Sequence, residues 1–138
     1  MGEIPERMVN EFRKNVDGSD ISELFLDIAD YQIFDDELAT VVGAPRGSLG
    51  GIVVWNLNPG QENDYHIHPN NEHLQYVVEG ELEYTLADAA PVLVRPGQIV
   101  IIPAGMAHGI RNVSDRRATY VAVTTPGPYE KVIAERPE

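Results

Sequence analysis

The sequence predicts an all-β fold, a sandwich or barrel, and three observations carry that prediction. After Gly43 the chain breaks into short segments rich in β-branched and aromatic residues, with Gly, Pro and Asn recurring between them about every ten residues. Strict alternation marks residues 81–86, where Leu82, Tyr84 and Leu86 share one face and Glu81 and Glu83 the other. The longest apolar runs, IVVW and IVII, are strand-sized and far too short to cross a bilayer.

In chain order, Met8, Val9, Phe12 and Val16 fall near helical spacing, which suggests a short amphipathic helix or an extended arm. Asp17, Gly18, Ser19 and Asp20 form a turn cluster. Residues 21–34 read ambiguously, with Asp20 or Ser22 available as a helix N-cap. This divides the chain into an N-terminal arm over 1–42, a barrel over 43–125 and a tail over 126–138. The first barrel strand covers 52–58, with Val53, Trp55 and Leu57 on one face, and the NPG turn ends it. Further strands are expected over 64–68, 73–78, 81–86, 92–94, 99–102, 108–113 and 119–124. Pro126 and Pro128 close the last of these, and the tail is expected to fray or lie along the surface.

Composition narrows the function classes. At 138 residues the chain has the length of one domain with a self-sufficient core. The absence of cysteine excludes disulfides, thiolate ligands and thiol nucleophiles, so a metal must be held by imidazole or oxygen. A formal charge of −12 argues against a nucleic-acid partner. Eight acidic residues and no basic one lie between positions 17 and 37, a pattern expected of a solvated face. With no apolar membrane segment and no basic-then-apolar leader pattern, the expected location is the cytoplasm.

The histidines concentrate the chemistry. All four lie in two short segments: His66, His68 and His73 between Gly60 and Gly80, and His108 in the second. Residues two apart on a strand point the same way, so His66 and His68 can meet one ion. After the turn Pro69-Asn70-Asn71, either Glu72 or His73 can face that ion. Neighbours on a strand face opposite sides, so one of the two must point away.

Both segments resemble the paired motifs of the cupin superfamily, G-x5-H-x-H-x3,4-E-x6-G and G-x5-P-x-G-x2-H-x3-N. The second is met by Gly97, Pro103, Gly105, His108 and Asn112. The first is met by Gly60, His66, His68 and Gly80, but four residues after His68 and six before Gly80 place His73 where the family has glutamate. The resemblance covers about residues 43–125. It implies a double-stranded β-helix, a jelly-roll barrel, holding one divalent metal ion on His66, His68, His73 and His108, with Glu72 as the alternative third ligand. Gly80 and Gly105 should supply positive φ at turns, and Asn112 should tie a turn rather than touch the ion.

Four neutral imidazoles leave a divalent ion its full +2 charge, so the expected second partner is a small anionic molecule. Such a set suits Fe, Mn, Ni, Cu or Zn. Gln75 shares the face of His73 and could bond a ligand imidazole or the substrate; Tyr65 and Met106 are further candidates beside the ion. Val100, Ile101, Ile102, Trp55, Tyr76 and Tyr84 are candidates for walls or core. No general base stands out in the ligand motifs. The resemblance implies a metalloenzyme, dioxygenase-like, acting on a small organic acid or carbonyl compound. Lyase, decarboxylase or isomerase activity is the alternative, as are a non-catalytic ligand-binding or sensing module and a purely structural metal. By analogy a homodimer is expected. Because ligand imidazoles must be deprotonated, metal should leave below about pH 6.

Overall fold

The computed structural model describes residues 7–13, 21–45 and 51–137. Eleven strands are assigned among them: β1 Val9–Arg13, β2 Thr40–Pro45, β3 Gly51–Leu57, β4 Glu62–Ile67, β5 His73–Glu79, β6 Leu82–Leu86, β7 Val92–Val94, β8 Ile99–Ile102, β9 His108–Arg111, β10 Ala118–Thr124 and β11 Val132–Ile133. They form a six-stranded sheet, β1-β2-β3-β10-β5-β8, and a five-stranded sheet, β11-β4-β9-β6-β7. Among the described residues every strand pairing is antiparallel except that of β1 with β2.

Period-two patterning decides which residues meet between the sheets. One apolar cluster takes Trp55, Leu57, Val77 and Tyr120 from the larger sheet and Leu82, Tyr84, Val94 and Ile110 from the smaller. Along β5, His73, Gln75 and Val77 are buried while Leu74 and Tyr76 face outward. Val53, Trp55 and Leu57, expected on one face, do share one: Trp55 and Leu57 belong to this cluster and Val53 packs against it. Val54, on the opposite face, joins Val42 and Tyr31 in a second cluster, so the segment around Tyr31 covers the outside of β2 and β3. Asn56 Nδ2 donates to the Tyr31 carbonyl oxygen at 2.8 Å and fastens that cover.

The structure decides between readings that the sequence left open. The segment expected as helix or extended arm contains the strand Val9–Arg13, which runs parallel to β2. Four apolar residues at helical spacing cannot nucleate an isolated helix, whereas the edge of β2 offers backbone partners; Val16 lies outside the described residues. Between 21 and 34 the chain makes two 3-10 turns, Ile21–Leu24 and Ile28–Tyr31. Asp27 caps the second, accepting from the Ala29 N–H at 3.0 Å; Ser22 lies inside the first turn, and Asp20 is outside the described residues. Of the two alternatives for the tail, it lies along the smaller sheet: β11 pairs with β4, setting Val132 against Ile67 and Ile133 against His66. Strand β2 also begins at Thr40, so it straddles the boundary expected at 43. Among the described residues no helix is long and apolar enough to cross a membrane.

Gly80, between β5 and β6, has φ +73°, and a Cβ there would stand 2.8 Å from the Ala118 Cβ and tighter still against the Arg117 carbonyl oxygen. Gly80→Ala should therefore cost about 2 to 4 kcal/mol, left-handed strain added to overpacking. Urea titration should show a lower midpoint at unchanged slope; an unchanged midpoint would refute this account of the turn.

Candidate metal centre

Three strand ends deliver the four histidines. His66 lies on β4 and pairs in register with His108, the first residue of β9. His68 lies just beyond the end of β4, and His73 opens β5. The intervening turn is pinned to the end of β10, where Asn71 Nδ2 donates to the Thr125 carbonyl at 3.1 Å and the Glu72 N–H to Thr125 Oγ1 at 3.0 Å. All four rings are buried, at 1%, 4%, 5% and 0% exposure for His66, His68, His73 and His108. Glu72 is exposed and lines no part of the cavity. Of the two residues that strand geometry left open, His73 is the one that faces inward.

Hydrogen bonding sets the tautomers. The Nδ1–H groups of His66, His68 and His108 donate to the backbone carbonyls of Asp64, Glu130 and Met106, the last two at 2.8 and 3.0 Å. A carbonyl can only accept, so in each neutral ring the proton sits on Nδ1 and Nε2 carries the lone pair. The Nε2 atoms of His66 and His68 nevertheless face each other at 3.0 Å. Two lone pairs so placed repel unless a cation lies between them. Two nitrogens bound at right angles to one ion, each at about 2.1 Å, stand about 3.0 Å apart.

The ligand nitrogens of His66, His68 and His108 all lie within 4.8 Å of one another. His73 stands beside this trio, its ring stacked on His68 with centroids 4.2 Å apart. Both ring nitrogens of His73 and the Nε2 of His108 are buried without a hydrogen-bond partner. Buried polar atoms are rarely left so, and orphaned imidazole nitrogens at one point are what a metal would satisfy. The cluster fits a divalent metal ion.

Burial keeps these rings neutral. Desolvation, aided by the positive charge His108 and His68 would carry, lowers His66 to about 2. Desolvation first and then His68 and His108 lower His73 to about 3. Desolvation lowers His108 to about 4 against the opposing bond to Met106, and it lowers His68 against the bond to Glu130. Protons therefore compete for these nitrogens only well below the ordinary imidazole range, which moves the expected metal release below the pH 6 that unperturbed histidines suggest.

The cluster opens into a cavity of about 390 Å³ lined also by Trp55, Asn63, Gln75, Ile52, Val53 and Ala122. Gln75 is brought there, but its Oε1 accepts from the Tyr84 hydroxyl at 2.8 Å and not from an imidazole. Tyr65 is not brought there. Alternation along β4 turns it to the opposite face from His66; its hydroxyl donates to the Ala87 carbonyl at 3.0 Å, and it lines a separate surface pocket with Arg7, Arg111 and Arg136. Met106 contributes its carbonyl to His108 while its side chain packs on the main core. Ile102 and Tyr84 are core, and Ile101 and Tyr76 face outward, so of the expected wall residues Trp55 is the one that lines the cavity. Asn112 ties the turn after β9, donating to the Leu57 and Arg116 carbonyls at 2.8 and 2.6 Å. Gly80 and Gly105 carry the expected positive φ.

Sequence reasoning missed the C-terminal strap. Glu130 supplies the carbonyl that orients His68, and Tyr129 and Lys131 line the cavity. Desolvation lowers the Lys131 ammonium to about 7. The only signal was a lysine after a Pro-rich turn, about sixty residues from the first ligand motif, and nothing in its spacing links it to the histidines.

The comparisons with known proteins agree with this geometry. A family model described as "Cupin domain" matches residues 53–124, just over half of the chain. "Polyketide synthase CurC" of Streptomyces cyaneus is 39% identical over 85 residues, which are 62% of this chain and 53% of that protein. "Protein SchB" of Streptomyces halstedii is 38% identical over 82 residues, 59% of this chain and 56% of that protein. The chain thus spans about half the length of the curated relatives it matches. A crystal structure of an uncharacterised conserved protein with a double-stranded β-helix domain, from Klebsiella pneumoniae, superposes with a TM-score of 0.76 at 26% identity, covering 81% of this chain and 97% of that one. That likeness extends to both sheets, and the family match takes in all four histidines and the strands that carry them, so the chain belongs to the cupin family.

Proposed function

We propose that the protein is a metal-dependent cupin enzyme in which His66, His68, His73 and His108 hold one divalent ion, and that it oxidises a small, oxygen-chelating organic acid or enolised carbonyl compound with dioxygen. The observation that carries the metal reading is the pair of proton-free Nε2 atoms at 3.0 Å, backed by the orphaned nitrogens of His73 and His108. When bound, the ion supplies Lewis acidity toward substrate oxygens and, if redox-active, a route to dioxygen. The chain supplies the rest. Backbone carbonyls hold three rings in the ligating tautomer, and Trp55, Ile52 and Val53 give the cavity apolar walls. Gln75, its carbonyl engaged by Tyr84, keeps its amide N–H groups as the donors it can offer a substrate oxygen.

The substrate class draws on two supports. All-imidazole ligation leaves the ion strongly cationic, which favours an anionic chelate. The relative CurC is named a polyketide synthase, and polyketide chains are poly-β-carbonyl compounds that enolise to oxygen chelates. Protein loaded separately with Fe(II), Mn(II), Ni(II), Cu(II) or Zn(II) should be given β-diketones and flavonols in an oxygen electrode. The expected result is oxygen uptake matching substrate loss with one redox-active metal. Product formed without oxygen uptake would replace oxidation by lyase, decarboxylase or isomerase chemistry, and binding with no product would make the protein a ligand-binding module.

A further inference from the structure

We propose that Lys131 is the substrate-selecting residue of this cavity, receiving the carboxylate of an acidic aromatic or enolic molecule whose other oxygens face the histidine cluster. The inference rests on the metal-chelating reading above for the second half of that contact. Its first half stands on the geometry of Lys131 itself.

The chain carries 22 acidic residues and a net charge of −12, yet among the described residues lining the cavity none is a carboxylate, and Lys131 is the one with an ammonium or guanidinium. That inversion of the protein's overall charge is local, and local is what counts. Repulsion from the distant acidic surface is screened beyond about 8 Å at physiological salt, whereas a partly buried cation acts at contact. The ammonium lies 4.8 Å from the centroid of the Trp55 ring and donates to Asn63 Oδ1 at 3.0 Å. Asn63 is itself oriented, because its Nδ2 donates to the Tyr120 hydroxyl at 2.8 Å, so the amide oxygen is the end turned to Lys131.

The strap fixes the position of Lys131 relative to the cluster. One residue before it, the Glu130 carbonyl takes the His68 Nδ1 proton; two residues after it, Ile133 pairs with His66. The lysine and two of the imidazoles are thus set by one short stretch of backbone. The space between them, within about 390 Å³ and walled by Trp55 and Val53, suits a flat molecule with a chelating end and an acidic end. Burial lowers the ammonium to about 7, and an arriving carboxylate would offset that desolvation by favouring the charged form, whereas an uncharged ligand would not.

Trp55 is the chain's only tryptophan and lines the cavity, so its emission reports occupancy directly. The test titrates 3,4-dihydroxybenzoate, whose catechol is the chelating end and whose carboxylate is the opposite one, and its uncharged counterpart 3,4-dihydroxybenzamide into the protein at pH 6.5, once loaded with Zn(II) and once metal-free. Native protein should bind the acid at least about tenfold more tightly than the amide in both forms. Lys131→Met should abolish that preference while leaving the amide's affinity within about twofold, and Lys131→Arg should retain it. Equal affinities in native metal-free protein, absence of binding included, would overturn the proposal, as would a preference that survives Lys131→Met. The native acid-to-amide comparison decides the matter even where a variant does not fold. Loss of Zn(II) binding with an intact, Lys131-dependent preference would fault the metal reading alone.

Discussion

His73→Ala should lower metal affinity by about a hundredfold or more, and Glu72→Ala should leave it unchanged. Four-ligand structural zinc sites in zinc-finger peptides are worth roughly 10–16 kcal/mol; on that scale an even quarter share is about 2.5–4 kcal/mol, or two to three orders of magnitude. The two substitutions are a sharp pair because the residues are adjacent. Glu72 is exposed and touches the turn only through its backbone, whereas His73 is 5% exposed with both nitrogens lacking a partner. The nitrogens of His66, His68 and His108 lie within 4.8 Å of one another without it, so if those three alone held the ion, losing His73 would bring a smaller decrement. Metal content after equilibration against a graded chelator series separates the outcomes. One equivalent retained by His73→Ala at native chelator strength would return the site to three histidines. Loss of metal from Glu72→Ala would restore the carboxylate as a ligand.

How far the fold could be read in advance follows from where each signal lives. Strands such as β6 are written in local alternation, and turns are written in Gly, Pro and Asn, so the barrel was legible residue by residue. The histidines were legible because ligand spacing on two strands is itself local, and His66 and His68 need only the two-residue period to meet. What could not be read is what depends on pairing over long separations. Met8, Val9 and Phe12 carry helical spacing, yet the segment becomes a strand because β2 has an open edge. Lys131 enters the cavity because β11 finds β4, a pairing between two residues of β11 and a strand more than sixty positions earlier. Gln75 was placed on the correct face, but its bond to Tyr84 requires knowing that β6 lies across the barrel from β5.

Metal-free protein should lose stability steeply as pH falls from about 6.5, and metal should shift that loss to lower pH. His66, His73 and His108 are lowered from 6.5 in the fold to about 2, 3 and 4. Between the folded and unfolded values the unfolded chain binds more protons, so stability rises with pH. The contribution is therefore complete above the unfolded value of 6.5 and is lost as pH falls toward the folded values. Each group that stays neutral in the fold but charges on unfolding adds up to about 1.4 kcal/mol per pH unit. The carboxylate held low by Arg117, Glu79, acts in the same direction but only below about its ordinary 4.5, so the range from 6.5 to 5 belongs to the histidines. Urea midpoints of chelator-treated protein at pH 7.5, 6.5, 5.5 and 5.0 should fall by the equivalent of at least about 1.4 kcal/mol per unit across the lower part of that range. A flat profile there would mean that the rings are not held neutral. Because a site preformed from neutral imidazoles meets little proton competition until the folded values are approached, protein loaded with Zn(II) at a thousand times its Kd should gain about 4 kcal/mol and remain folded and metal-bound below pH 6. Release of the ion at pH 6 from folded protein would show that the histidines titrate as solvated groups, and would overturn this account.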